Sequence, residues 1–392
     1  MSDEYTLIVD YPHSWVDSQA CRKDVSEQIH YVSESIEGFS FRDEGLILSL
    51  NKQIDVNKDD VISAAAHILE TCSATAARTQ DEILEIHETA LTPPENPLES
   101  LLNSGQVHFN SEGVPVFEGD FKTLLDRLDR LFLAYAQDIG CLEQTYATTV
   151  PTDSLLSNGY LKSFPQHAML VGTVHQDLNS LGAIAQSPDL YSSFRDVDGL
   201  IDRHAQMLSP TVCYHCFERH RNSRLGVERR LITAIGKCHR YEGRNTAGLT
   251  RLRTYTMREI MYFGEKDFVT RWQLEILEFV KAILAEFGMT YRISVASDPF
   301  FSTSAAQKKE FQRVFRLKYE LQVLIPQENT WISVASFNNH QQSLTAAYDM
   351  KAAQEGDTLH SGCFGVGYER LAYSLVAQLG ISPENWPGAL KT

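Results

Sequence analysis

The sequence predicts an α+β fold in which an antiparallel sheet is flanked by helices and preceded by a smaller α+β unit. Three observations carry this. Strand-like runs at Leu231–Glu242 and Thr250–Phe263 enclose a turn rich in Gly, Asn and Arg, a hairpin signal with a long loop. Asp120–Asp138 sets Phe121, Leu124, Leu125, Leu128, Leu131, Phe132 and Tyr135 at steps of three and four, the stripe of a helix packed on a core. The first 90 residues read as strand, helix, strand, strand, helix, which suggests a ferredoxin-like half-sandwich.

In that first unit Thr6–Asp10 is a strand and Asp17–Ser33 a helix. Phe39–Phe41 and Leu46–Leu50 are strands around a turn at Asp43–Gly45, and Asp59–Arg78 is a helix capped by Asn57 or Asp59. Thr92–Glu99 holds three prolines among acids and reads as a linker. The expected division is therefore a small domain over 1–90, a linker over 91–103 and a large domain over 104–392. Within the large domain YLKSFPQH and AMLVGTV are followed by a helical Asp189–Met207. Val314–Ile325 and Trp331–Phe337 read as adjacent strands, and at His360–Leu379 a Gly-rich turn feeds a helix.

Composition bounds the function. Of 392 residues, 43% are hydrophobic and 22% charged, as in a soluble globular protein. A net charge of −16 argues against broad electrostatic binding of nucleic acid, which requires basic surface, but leaves room for a local basic cleft. The start, MSDEYTLIVDYPHSW, lacks the basic and apolar regions of a signal peptide, and no apolar run is long enough to span a bilayer. Seven thinly spread cysteines do not form a disulfide framework, so the expected setting is a reducing cytoplasm.

The hairpin carries the first candidate chemistry. Lys237, Arg240, Arg244, Arg251, Arg253 and Arg258 cluster along it. On a strand, residues two apart share a face, so Arg240 and Glu242 point the same way, as do Arg251, Arg253 and Tyr255. Guanidinium groups, a carboxylate and an aromatic ring suit a nucleotide. For an arbitrary Arg-rich hairpin, a solvated salt-bridged pair is the simpler reading. GVGYER, Gly365 to Arg370, adds Gly365, Gly367 and Arg370 at a helix start, where backbone can approach an anion. It has neither the third Gly of a dinucleotide fingerprint nor the Lys of a P-loop.

Cys213-Tyr-His215-Cys216 offers soft ligands, but no matching pair follows at zinc-finger spacing. A dispersed catalytic-type site could take Cys213, Glu259 and Cys363, with His215 and Cys216 as rivals to Cys213; buried cysteines that merely fill the core are the plainer alternative. Asp153-Ser154-Leu155 has the form of a phosphopantetheine attachment triplet, but it sits beside Pro151 and reads as chance.

Taken in order, these stretches resemble motifs of class II aminoacyl-tRNA synthetases, and of the seryl branch most. CHRYEGRNTAGLTRLRTYTMREI is similar to motif 2 and GVGYER to motif 3. KYELQVLIP and WISVASFNNH are similar to the strand pair before motif 3, and SNGYLKSFPQH to motif 1, with Pro165 at a dimer interface. The likeness runs over about residues 105–385. Cys213, Glu259 and Cys363 match the zinc set of the atypical, archaeal-type seryl enzymes and of their truncated relatives, the amino acid:[carrier protein] ligases. LSPTVCYHC, FPQH and HSGCFGVGYERLAYSL resemble those relatives.

The resemblance implies a class II synthetase-like sheet in a catalytic domain over 104–392, a homodimer, and activation of a small amino acid with ATP and magnesium. It implies transfer to the phosphopantetheine thiol of a carrier protein rather than to tRNA, since the chain shows no long heptad arm. Arg240 would neutralise the transition state, Arg370 hold the γ-phosphate, Tyr255 stack on adenine, Glu242 receive the adenine amino group, and Arg251 contact phosphate. Zinc on Cys213, Glu259 and Cys363 would take the substrate amino group, with Ser333, Ser336 and Asn338 lining the substrate site. One departure stands out: Trp331 occupies the position of an acidic magnesium ligand, with Glu320 and Glu328 the nearby acids. A seryl-type tRNA synthetase and a non-catalytic paralogue are the alternatives.

Overall fold

A computed structural model describes residues 4–79, 82–94, 96–186, 201–243, 245–298 and 311–391. The chain opens with β1 (Glu4–Val9), α1 (Gln19–Gln28), β2 (Ile36–Arg42), β3 (Gly45–Asn51) and α2 (Lys58–Thr79), and its sheet has the antiparallel order β1-β3-β2. Local chemistry sets the ends of both helices. The Ser18 hydroxyl accepts the Cys21 N–H at the start of α1 (3.1 Å), and Asn57 caps α2 by accepting the Asp59 N–H (3.1 Å). Val9, Leu46, Leu48 and Leu50 from the sheet meet Val25, Ile29, Val61, Ala65 and Leu69 from the helices in one small core.

The strand that would complete a ferredoxin-like sandwich goes elsewhere. β4 (Glu82–His87) pairs antiparallel with the Tyr291–Val295 strand, satisfying edge backbone groups of the large sheet. Residues 82–87 therefore lie in the large sheet, although the expected boundary was residue 90. The expected linker over 91–103 also contains a helix, α3 (Pro97–Asn103), which buries Pro97 and Leu101.

The elements that follow are β5 (Val107–Ser111), β6 (Val114–Phe117), α4 (Gly119–Asp138), β7 (Leu142–Glu143), β8 (Thr149–Pro151), α5 (Thr152–Ser157), α6 (Tyr160–Ser163), β9 (Leu170–Val174), α7 (Leu178–Gln186) and β10 (Ile201–Leu208). Then come α8 (Cys213–Arg219), β11 (Arg230–His239), β12 (Thr254–Gly264), α9 (Lys266–Glu286), β13 (Tyr291–Val295), β14 (Lys318–Ile325), β15 (Thr330–Gln341), α10 (Ser343–Ala347), β16 (His360–Gly367) and α11 (Tyr368–Leu379). The large sheet runs β4-β13-β14-β15-β16-β12-β11-β7, antiparallel except for the short parallel contact of β7 with β11.

Period-two alternation divides this sheet into two faces with different tasks. Ile260, Tyr262, Phe337 and Phe364 pack against Phe121, Leu124, Leu128 and Phe132 of α4, Ile276 and Leu284 of α9, and Leu371 and Leu375 of α11. The stripe predicted for Asp120–Asp138 supplies that packing, with Phe121, Leu124, Leu128 and Phe132 fully buried. Met257, Glu259 and Met261 alternate onto the opposite face, which carries a cavity. The architecture is α+β, an antiparallel sheet with helices against one face.

Two expected elements differ. Part of Asp189–Met207 lies outside the described residues, and 201–208 is a strand, paired with β8 (Gln206 opposite Pro151) and β9 (Ile201 opposite Val174). Its i,i+4 pattern is overridden by these long-range ladders. The Gly-rich turn before the last helix is instead β16, which leads directly into α11. Ser154 is fully buried in α5 and shares a 2.9 Å hydrogen bond with the Tyr348 hydroxyl, so it is no attachment site. Among the described residues, no helix is long and apolar enough to cross a membrane.

Candidate active site

The open face of the sheet lines a cavity of about 1210 Å³. Register sets its floor. Glu259 on β12 lies opposite Gly365 on β16, Gly365 opposite Ser336 on β15, and Ser336 opposite Glu320 on β14. Directly opposed residues share a face, so four strands deliver one polar row to the cavity. Cys363, Asn338 and Lys318 form a second row two residues away.

Cys213, Glu259 and Cys363 converge at one end, all buried, with one ligand atom from each lying within 4.8 Å of the others. Among the described residues no other His, Cys, Asp and Glu group of three is so arranged. The N-terminal turn of α8 secures Glu259: its carboxylate accepts the Val212 N–H (3.0 Å), the Cys213 N–H (3.1 Å) and the Thr211 hydroxyl. Burial, with the Cys363 sulfur beside it, pushes the Glu259 carboxyl up to about 7. The Cys363 thiol is held well below its ordinary range by a hydrogen bond from Cys213 and by His340 and Asn338, whose Nε2 and Nδ2 each lie 3.5 Å from its sulfur.

Two thiols and a carboxylate are the donor set of a tetrahedral zinc with one position open for a substrate. The rival ligands turn away from it: His215 stacks on Tyr146 (5.3 Å), and Cys216 is buried beside the Tyr146 hydroxyl. Gly362 explains how Cys363 is seated. A Cβ there would lie 2.2 Å from Tyr262 Cε2 and 2.5 Å from the Asn338 carbonyl, so only glycine lets β16 approach both.

The other end of the cavity is cationic. Arg240 sits over the Tyr255 ring (5.6 Å) and donates from Nε to the Pro210 carbonyl (3.1 Å). Arg370, in the first turn of α11, donates to the carbonyls of Thr250 (2.6 Å) and Ser333 (3.2 Å), and its burial lowers the guanidinium from its ordinary value. Glu242 and Arg251 form an ion pair of 2.7 Å with the carboxylate buried. His167, of the FPQH stretch, also lines the wall; burial, reinforced by Arg240, pushes it down to about 4, so its ring is neutral at pH 7. Gly367, Ser333, Ser336 and Asn338 line the same cavity, and Asn338 Nδ2 donates to Ser336 Oγ (3.2 Å).

The remaining hairpin cations serve the structure. Arg258 faces the helices and binds Asp129 at 2.7 Å, Arg253 pairs with Glu112 (2.9 Å), and Lys237 lies 3.5 Å from buried Glu369. Arg244 lies outside the described residues. The expectation that Arg253 shares a face with Arg251 and Tyr255 is not met, because regular strand ends at His239 and resumes at Thr254, so alternation does not govern 240–253.

Trp331 takes no acid's part. Its ring lies under the Arg292 guanidinium (4.7 Å), which also donates to Gln322 (2.6 Å). Of the two nearby acids, Glu320 lines the cavity and Glu328 does not. Glu320 is bound, with Asp298, to the Lys318 ammonium at 2.8 and 2.7 Å. Asp298, Lys318, Thr211 and His340 are site residues that sequence reasoning missed. Lys318 sits within the expected strand Val314–Ile325, and His340 lies just past the expected end of Trp331–Phe337, in the part of β15 that runs on to Gln341; nothing in spacing marks their chemistry.

Comparison with known proteins agrees with this architecture. Residues 198–378 match the tRNA synthetase class II core domain (G, H, P, S and T). An amino acid--[acyl-carrier-protein] ligase of Bradyrhizobium diazoefficiens is 25% identical over 300 residues, covering 76% of this chain and 89% of that one. A type-2 serine--tRNA ligase of Methanopyrus kandleri is 30% identical over 191 residues, 46% of this chain and 36% of that one. In three dimensions the M. kandleri seryl-tRNA synthetase, solved with A. aeolicus tRNA(Sec), superposes with a TM-score of 0.71 at 19% identity, over 99% of this chain and 77% of that one.

Proposed function

Taking the chain as a synthetase-like protein with the class II fold and a class II core over residues 198–378, we propose that it is an ATP-dependent ligase that activates a small amino acid and passes it to the phosphopantetheine thiol of a carrier protein. The observation that carries this is one cavity holding Cys213, Glu259 and Cys363 at one end and Arg240 and Arg370 at the other.

The chemistry follows from that arrangement. An amino acid carboxylate oxygen attacks the α-phosphorus of ATP; the new O–P bond forms as the bond to pyrophosphate breaks. Arg240 stands where negative charge accumulates, and a fixed guanidinium in a sheltered site lowers that barrier without reorganising. Arg370, pinned by two carbonyls, offers its remaining N–H groups to the terminal phosphate. Tyr255 provides the face on which adenine stacks, while Glu242 accepts its amino group and Arg251 meets phosphate. Ser333, Ser336 and Asn338 line the path between the two ends. Zinc held by Cys213, Glu259 and Cys363 would offer its open position to the substrate amino group. In the second half-reaction the thiol sulfur attacks the mixed anhydride, a thioester forms, AMP departs and the thiol proton is released.

Magnesium has no carboxylate at position 331, and Glu320 is already engaged by Lys318; no step is assigned to that ion. Acceptor choice rests on two features. The alignment spans 89% of the carrier-protein ligase but 36% of the serine–tRNA ligase, and a net charge of −16 gives little basic surface for a polyanion. We take the active form to be a cytoplasmic homodimer. The second reading is a tRNA-charging enzyme, favoured by the 30% identity to the M. kandleri ligase. The test is single-turnover discharge: purified enzyme-bound adenylate is offered holo-carrier protein or bulk tRNA. Labelled thioester supports the proposal; labelled tRNA alone selects the second reading.

A further inference from the structure

β15 and β16 lose their regular register beside the proposed zinc ligands. Asn338 lies opposite Cys363 and Asn339 opposite Gly362, but Gln341 lies opposite Ser361, which leaves His340 as an extra residue on β15. An inserted residue of this kind bends the strand and re-aims a side chain. The bulge is closed locally. Gln341 takes a left-handed backbone (φ +52°), and its N–H donates to the Asn339 side-chain carbonyl (3.0 Å). A non-glycine residue in that region costs free energy, so the surrounding structure must hold it there.

The imidazole that this bulge presents stands beside Cys363 but outside the group of three ligands. Its Nε2 lies 3.5 Å from the Cys363 sulfur and its Nδ1 3.3 Å from the hydroxyl of Ser361, which is fully buried. Phe217 sets its ring edgewise to the imidazole (5.8 Å, 65°) from α8, the helix that begins at Cys213. A metal-bound thiolate only accepts hydrogen bonds, so Nε2 must carry the proton. In a neutral ring Nδ1 then accepts from the Ser361 hydroxyl. Both ring nitrogens are thereby used, and the tautomer is fixed.

We propose that His340 is a positioning residue for the metal centre: its Nε2–H holds the Cys363 thiolate in place, with Ser361 setting the tautomer that lets it donate. This rests on the zinc reading of Cys213, Glu259 and Cys363.

The test uses the full-length protein and two readouts that need no turnover. Removal of zinc by a competing chromophoric chelator should show an affinity about tenfold weaker in His340→Ala than in wild type. His340→Gln, which keeps a side-chain N–H, should stay within about threefold. In cobalt-loaded protein, loss of the hydrogen bond raises the sulfur donor orbitals. The sulfur-to-cobalt charge-transfer band of His340→Ala should therefore move to longer wavelength, a change that disturbed packing alone would not make. Ser361→Ala should move it in the same direction, and stands in if His340→Ala does not fold. An unmoved band, or a zinc affinity within about twofold of wild type in His340→Ala, overturns the proposal and leaves the zinc reading intact. Wild-type protein that binds no zinc contradicts the zinc reading and the inference with it.

Discussion

Glu242 and Arg251 are joined by a 2.7 Å ion pair across the mouth of the β11–β12 loop, although the proposed reaction assigns each a different part of ATP. Burial alone would raise the Glu242 carboxyl, but Arg251, with His167 and Arg240 nearby, outweighs it and holds the group below the ordinary carboxylate value. A lowered folded value stabilises the protein above the unfolded value of about 4.3 and loses that stabilisation as pH falls through the folded one. Glu242→Gln should therefore melt below wild type at neutral pH. The gap should close as pH falls below about 4.3 and through the lowered folded value. A gap that is constant with pH would show that the pair contributes no linkage.

The proposed zinc on Cys213, Glu259 and Cys363 predicts a paired loss of zinc and activity. Cys363→Ser removes one of three donors, so bound zinc measured by elemental analysis should fall by at least about tenfold in affinity, with exchange activity falling alongside it. Because Glu259 sits near 7 without metal, zinc affinity should weaken as pH falls below that value, protons competing for the carboxylate. Full zinc retention in Cys363→Ser would assign the metal to other ligands.

Asp129→Asn separates stability from chemistry. Arg258 is 1% exposed and bound to Asp129 on the helix-covered face, away from the cavity. Neutralising Asp129 weakens a charge-assisted pair, but buried Arg258 keeps Glu143 (3.6 Å) and the Thr233 hydroxyl (3.2 Å), so the cost should be about 1–3 kcal/mol. Denaturant unfolding should show that loss, while the KM for ATP in the surviving folded protein stays at the wild-type value.

Gly362→Ala tests the seating of β16. The added methyl meets Tyr262 and the Asn338 carbonyl, and overpacking of this kind costs about 1–3 kcal/mol. The strand should shift at Cys363, so zinc occupancy should fall with stability. A variant as stable as wild type and fully loaded with zinc would show that the close approach is not needed.

Much of this was legible in the sequence where periodicity is strong and local. The Asp120–Asp138 stripe and the hairpin strands follow from spacing that depends on near neighbours. Residues 201–208 were misread because two distant strands, at 149–151 and 170–174, decide their conformation. Gly362, Gly365 and Gly367 have the composition of a turn, yet none has a positive φ; they serve cross-strand approach and open space in a strand. Glu259 is a fully buried carboxylate whose partners, Thr211 and the Cys213 amide, lie 46 to 48 positions away, a distance that no local pattern spans. Lys318 and Glu320 are two residues apart on β14, but Asp298, the third member of their cluster, lies 20 positions upstream of Lys318, outside any local pattern.

The measurement that bears most directly on this account is amino-acid-dependent ATP–pyrophosphate exchange on folded, zinc-loaded protein with magnesium, screened across the common amino acids. The account predicts exchange with one or a few small amino acids, abolished by Arg240→Ala. Absence of exchange with every amino acid would contradict it and make the chain a non-catalytic synthetase relative, with Trp331 as the residue that marks the change.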